Sequence, residues 1–247
     1  ILGKMRTWYS LEIASIEGSL HFYIWTRASF KDAVEASIYA QYPTVEIYEV
    51  EDYTKSIPYF DPERIAMHAF EYKYGAKNTF YPIRTYTDFK LEDNPKEEYK
   101  IDPLTAVLEY MGAIGPGEQL WLQMIIRPYK GAQSDSHSIF HVFDYYKEGK
   151  HQLKEMREEL KETSQGVEGE EREYLRIPAR GEAERINSVD RKLTKIAFEC
   201  AFRSVYAALP EHFTPSRIGQ LALLFRPFNY PGLNSLVPQK DTSFSFP

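Results

Sequence analysis

The stretch FKDAVEASIYAQYPTVEIYEVEDYT, Phe30 to Thr54, sets the reading of this chain. Phe30, Val34 and Ile38 recur at helical spacing, and Ser29 with Asp32 three residues on has the form of a capping box. Pro43 cannot continue a helix and biases Tyr42 away from helical backbone, so the helix is expected to stop there. Thr44–Val50 then alternates as a strand does. A helix running at once into a strand is the signature of an α+β or α/β unit.

Working outward, Trp8–Ile16 and Leu20–Trp25 alternate as two strands joined by a Glu17–Ser19 turn. The first unit is therefore strand–strand–helix–strand, over residues 1–58. A second unit of the same order is expected over 59–130. MHAFEYKY and TFYPIRTYTDF read as a strand pair around a turn at GAKN. Asp102 and Pro103 read as the N-cap and first residue of a helix with Leu104, Val107, Leu108 and Met111 on one side. Gly112 sits where a helix ends, and Glu118–Tyr129 reads as the closing strand. The order recurs although the residues do not, which predicts an α+β fold with tandem ferredoxin-like units.

Residues 131–173 differ in character. The run from Tyr145 to Tyr174 is densely charged and predicts an exposed helix followed by a flexible acidic turn, forming a segment that separates packed regions or projects between subunits. Residues 174–247 read as a helix–strand–helix unit with an extended tail. Its helix carries Ile186, Val189 and Leu193, its strand runs through Phe198–Tyr206, and its last helix starts at Thr214–Pro215 and stops at Pro227.

With 247 residues, 43% hydrophobic and 15% aromatic, the chain is long and apolar enough to bury a sizeable core. Its formal charge of −6 argues against a nucleic-acid surface spread over the whole domain but leaves room for a local basic patch. The single cysteine, Cys200, excludes an internal disulfide and a cysteine-rich zinc site, and fits a reducing compartment. No apolar run reaches the roughly 18 residues needed to span a bilayer. Neither end has the pattern of a natural terminus, and the chain reads as a piece of a longer protein.

The search for chemistry yields no phosphate-cradling glycine motif. GAIGPGEQ, Gly112–Gln119, lies between a helix and a strand, the wrong order for binding phosphate at a helix N-terminus. His137 and His141, four apart with Asp135 and Asp144 near and His151 further on, have spacing that a metal can use, but they lack H-E-x-x-H and read more simply as surface histidines. Cys200 reads as a small core residue between Phe198 and Phe202. Acidic pairs such as Glu49/Glu51 and Glu170/Glu171 read as solvated charges. No catalytic, cofactor-binding or metal-binding residue is assigned, and an enzyme with an unfamiliar site around Asp135–His141 is the remotest reading. For nucleic acid, the best candidates are Lys73, Lys77 and Arg84 interleaved with aromatics that include Tyr72 and Tyr86. Aromatics on an open sheet face can stack bases, although strands packed on one side and wet on the other also favour tyrosine.

The opening stretch also resembles a family of uncharacterised domains from candidate-phyla (Patescibacteria-type) bacteria. The matching residues are Val34, Glu35, Ile38, Tyr39, Ala40, Gln41, Tyr42, Pro43, Glu46, Ile47, Glu49, Val50, Asp52 and Tyr53, with Ala36 where the family has glycine. Glu118–Pro128, Asp190–Tyr206 and Phe225–Pro238 extend the resemblance over most of the chain. Such domains are fused to ATPases similar to those of type IV secretion and conjugative DNA transfer. The resemblance implies a non-catalytic assembly or docking domain, with ATP hydrolysis elsewhere in the parent chain. It further implies a homo-oligomer, such as a hexameric ring, contact with other secretion-machine proteins, and a place on the cytoplasmic side of the membrane through the parent protein. A nucleic-acid-binding module of a DNA-translocating ATPase is the alternative.

Overall fold

A computed structural model describes residues 7–57, 61, 63–75, 79–91, 102–129, 144–165 and 171–239. The fold is α+β, as the pattern predicts. Strands β1 (Tyr9–Ile16), β2 (Ser19–Trp25), β3 (Ala66–Tyr74), β4 (Glu118–Pro128), β7 (Phe198–Ala208) and β8 (Leu236–Pro238) form one antiparallel sheet. Its order is β2-β1-β4-β7-β3-β8. Between them in sequence come α1 (Lys31–Gln41), α2 (Pro103–Gly112), α3 (Tyr145–Glu158), α4 (Arg180–Leu193) and α5 (Ser216–Ala222). A separate two-stranded ribbon is made by β5 (Lys161–Gln165) and β6 (Glu171–Leu175).

Register assigns the two faces. Ile13, Leu122, Ser204 and Phe70 lie side by side across β1, β4, β7 and β3, and the adjacent row is Ala14, Trp121, Val205 and Ala69. The first face is covered by α2 and the α5 region, through Val107, Met111, Leu221, Leu224 and Phe225. The second is closed by Ile57, with Tyr53 and Ile65 packed alongside. A third cluster joins Leu153, Met156 and Leu160 of the α3 region to Ile186 and Val189 of α4, with Phe80 beside them.

Several elements follow directly from local chemistry. Glu17 and Gly18 both take positive φ, 52° and 87°, and make the two-residue hairpin turn that matches strand twist. Asp102 accepts from the Leu104 N–H at 2.9 Å and Pro103 occupies the first turn of α2. Tyr42, the residue before Pro43, ends α1.

Other expectations are corrected. Thr44 lies in a turn, and residues 45–50 form no regular element and pair with no strand. Both sides of β1 are taken, by β2 and β4, and the outer side of the edge strand β2 is not paired by this segment either. Residues 79–89 form turns rather than a strand. Pro82 lacks an N–H, Thr85 closes a turn on Asp88 at 2.7 Å, and the sides of β3 belong to β7 and β8. The third strand expected of the first unit and the second strand expected of the second are therefore not formed, the closing strand of the second is β4, and strands from both units and from the C-terminal region share one sheet. The GAKN turn falls largely outside the described residues.

The Ser29–Asp32 capping box gives way to a 3₁₀ entry at Ala28–Phe30 with no side-chain cap. The charged helix α3 does not project freely: Gly149, Leu153 and Met156 form a buried stripe against α4. The ribbon β5–β6 flanks the place where a flexible turn is expected, and residues 166–170 themselves are outside the described set. The tail is not merely extended: Leu236–Pro238 adds β8 to the edge of β3. The last helix ends at Ala222 rather than Pro227, which lies in a separate 3₁₀ turn. Cys200 is exposed, not buried, because only the Ser204–Ala208 half of β7 lies under the core while Phe198 at the other end is 51% exposed.

Candidate functional site

Two surfaces stand out, at opposite ends of the strand order. The first is built from the stretch that opened the sequence. None of the eleven residues of α1 is buried, and the segment after it, through Asp52, is exposed except for half-buried Ile47. Together they make an arm. At one root Phe30 meets Tyr9 edge-on at 6.3 Å. At the other, Tyr53 stacks on Tyr23 at 4.7 Å and meets Trp121 edge-on at 5.2 Å. The Tyr53 hydroxyl donates to Glu12 and accepts from Gln123 Nε2 at 3.0 Å. Burial, reinforced by the Glu12 carboxylate, pushes that phenol well above the usual tyrosine range.

Within the arm, Lys31 bridges the helix and the segment after it through a 2.6 Å bond to Glu49. Tyr42 is 67% exposed and Tyr48 71%, and Tyr39, Val45 and Val50 are also exposed. Lys31–Asp52 carries six carboxylates and one lysine. The arm is thus acidic and aromatic at once.

The second surface is a groove of about 290 Å³ between the 82–87 turn and the end of α4. Its walls include Tyr74, Pro82, Ile83 and Tyr86, with Arg191 and Lys192 from α4 and Lys195 from the chain just after it. Among the described residues lining it there is no carboxylate. Arg191 reaches Asp88 at 3.0 Å in an adjoining cavity that it also lines. The Lys192 ammonium sits 4.8 Å from the centre of the Tyr74 ring and donates to the Thr79 carbonyl at 2.6 Å and more weakly to that of Tyr81 at 3.4 Å. Burial pulls its pKa down to about 8.

The sequence-derived nucleic-acid candidates scatter. Tyr72 is buried, its hydroxyl 2.8 Å from that of Ser204 and donating to the Leu221 carbonyl at 2.6 Å, so it cannot stack a base. The reason is parity: Tyr72 lies on the face that α5 covers, while Lys73 points to the other and is exposed. Arg84 is exposed and lies 6.0 Å over Phe89. Tyr86, 46% exposed, lines the groove. Lys77 lies outside the described residues. The residues that join Tyr86 are about a hundred positions away, and the basic cluster Arg191, Lys192 and Lys195 was their only signal in the sequence.

Asp135, His137 and His141 lie outside the described residues. Asp144 caps α3, accepting from Tyr146 at 3.1 Å and Lys147 at 3.2 Å, and His151 is an exposed neighbour of Glu155 at 3.5 Å. Among the described residues no three His, Cys, Asp or Glu side chains come together as a metal would need, and no helix is long and apolar enough to cross a membrane. Glu51 is exposed, and Glu49 is occupied by Lys31. Glu170 lies outside the described residues, and Glu171 begins β6.

A family described as a domain of unknown function (DUF8128) matches residues 5–236. The chain belongs to that family. The match takes in both the arm and the groove, together with every strand of the six-stranded sheet except the last two residues of β8. Neither the curated proteins nor the solved structures contain a match to it.

Proposed function

We propose that this domain is a docking and assembly element, non-catalytic in itself, within a longer protein. The observation that carries the reading is the arm. An eleven-residue helix with no buried residue and a following segment that exposes Tyr42, Tyr48 and Val50 place aromatic and aliphatic surface in water. Such surface is characteristic of protein contact sites, where exposed aromatics supply most of the binding energy.

The sequence resemblance supports a parent chain of the type IV secretion or conjugation ATPase kind, acting as a homo-oligomer, such as a hexameric ring, next to the membrane and other secretion-machine proteins. In that setting this domain spaces and joins neighbouring subunits, while ATP is hydrolysed elsewhere.

The test is native mass spectrometry and sedimentation of the full-length parent protein, intact and with the arm's Tyr42 and Tyr48 changed to serine. Loss of higher assemblies or of a co-purifying partner is the expected result. Unchanged assembly and unchanged partners would overturn the reading.

The nucleic-acid alternative keeps one specific observation, the grouping of Tyr86 with Arg191 and Lys195 around an apolar groove. It loses Tyr72 to the core, and the charge of −6 weighs against it. It requires single-strand binding that weakens steeply with salt and disappears in Tyr86→Ser.

A further inference from the structure

We propose that the acidic aromatic arm of one copy docks into the cationic groove of a second copy, head to tail. This deepens the assembly reading above and rests on it. Charge complementarity is the first argument. The arm carries six carboxylates against one lysine, whereas the groove is lined by Arg191, Lys192 and Lys195. Arg191 is paired with Asp88 at its margin and Lys192 donates to the Thr79 and Tyr81 carbonyls, which leaves the recess net positive with Lys195 exposed. In a chain with a net charge of −6, so acidic a protrusion and so basic a recess are a matched pair, and opposed potentials of this kind set register and speed encounter.

The second argument is the apolar content of both surfaces. The groove walls offer Tyr74, Pro82, Ile83 and Tyr86, and the arm offers Tyr42, Val45 and Tyr48, the last with its hydroxyl donating to Glu46. At about 290 Å³ the groove admits a side chain or two rather than a helix. An anchor such as Tyr42 or Tyr48 entering it, with carboxylates landing on the rim, has the usual anatomy of an interface: a buried aromatic within a polar ring.

The third argument excludes self-occupancy. The arm is rooted beside β1 and β2, through Phe30–Tyr9 and Tyr53–Tyr23, at one end of the strand order. The groove lies beside Tyr74 at the end of β3 and beneath α4, near the other. One molecule therefore presents its arm and its groove to two different neighbours. Such a heterologous contact either propagates or closes into a ring.

The experiment uses two variants of the whole chain, both altered only at exposed positions: an arm variant, Tyr42→Ser with Glu51→Lys, and a groove variant, Tyr86→Ser with Lys195→Glu. Circular dichroism establishes that both fold, and sedimentation velocity across concentration and salt reads the association. The wild type is expected to self-associate, more weakly at high salt. Each variant alone is expected to associate at least tenfold more weakly, and the 1:1 mixture to give dimers but nothing larger, since one intact arm then meets one intact groove.

A wild type that associates while both variants behave like it, or a mixture that stays monomeric, overturns the arm-in-groove contact and leaves the assembly reading standing. A wild type that is monomeric throughout, in the longer parent as well, overturns both. An oligothymidylate that binds the wild type but not the groove variant, without self-association, overturns the contact in favour of nucleic acid.

Discussion

Arg217, just inside α5, and Glu118, the first residue of β4, form an ion pair at 2.7 Å across 99 positions of sequence. The carboxylate is buried and fully engaged. It also accepts from the Tyr206 hydroxyl at 2.6 Å and the Gly115 N–H at 2.7 Å, while Arg217 reaches the Ala113 carbonyl at 3.1 Å. The turn after α2, the start of β4, the end of β7 and the start of α5 thus meet at one buried charge. Burial alone would raise the Glu118 carboxyl, but the bonds from Gly115, Tyr206 and Arg217 together hold it below the usual range.

Glu118→Gln should therefore destabilise the fold by about 3 kcal/mol, the cost of leaving Arg217 without its counter-charge. A carboxylate whose folded pKa is depressed contributes stability above its unfolded value of about 4.3, and that stability is lost as pH falls towards the folded value. Urea titrations at pH 7 and pH 3 check both: the difference between wild type and Glu118→Gln should shrink on acidification. An equal difference at the two pH values would refute the electrostatic account.

Gly18→Ala should cost about 1–3 kcal/mol. The residue sits at φ 87°, and an added Cβ would lie 2.9 Å from the carbonyl oxygen of Ile114. Backbone atoms cannot swing aside as a side chain can, so the β1–β2 hairpin must shift. Thermal unfolding measures the loss, and a neutral result would mean that the turn relaxes freely.

Lys192 should titrate near 8 while solvated lysines titrate near 10.4. Heteronuclear NMR of the lysine Cε and Hε signals follows this directly. Between those values the unfolded chain binds the extra proton, so the contribution of Lys192 to stability grows as pH rises from about 8 towards 10. A Lys192 signal moving with the bulk lysines would overturn the buried placement.

Tyr72→Phe should cost about 1–2 kcal/mol through the lost hydrogen bonds of its hydroxyl to the buried Ser204 hydroxyl and to the Leu221 carbonyl, which keeps the Leu224 N–H. The same change should leave any oligonucleotide binding unaltered, because Tyr72 is buried. Weakened binding in a fully folded variant would return Tyr72 to the list of contact residues.

Legibility in the sequence followed locality. Asp102–Pro103, the Glu17–Gly18 turn and the Ile186/Val189/Leu193 stripe could be read because each depends on residues within one or two turns. The third strand expected at 44–50 failed although its alternation is real, because alternation describes a ribbon's two faces and says nothing of whether another strand will pair with it. The apolar stripe Gly149, Leu153 and Met156 is visible in retrospect, but the density of lysine and glutamate around it concealed it. Tyr86 was legible as an exposed aromatic, whereas its companions Arg191, Lys192 and Lys195 were not, since nothing local links position 86 to position 191.

By itself, then, the sequence determined the α+β class, the Glu17–Gly18 turn, the Asp102–Pro103 helix start, the helical spacing of α1, α2 and α4 and the acidic aromatic character of residues 31–52. These depend on side-chain periodicity and on backbone preferences that act over a few residues. Only the tertiary structure decided that strands from distant segments share one sheet in the order β2-β1-β4-β7-β3-β8, and that residues 44–50 pair with none of them. Alternation within a segment records only its own two faces, whereas entry into a sheet depends on contacts with strands far away in sequence, so residues 44–50 stay outside although, among the described residues, the outer side of β2 is unpaired.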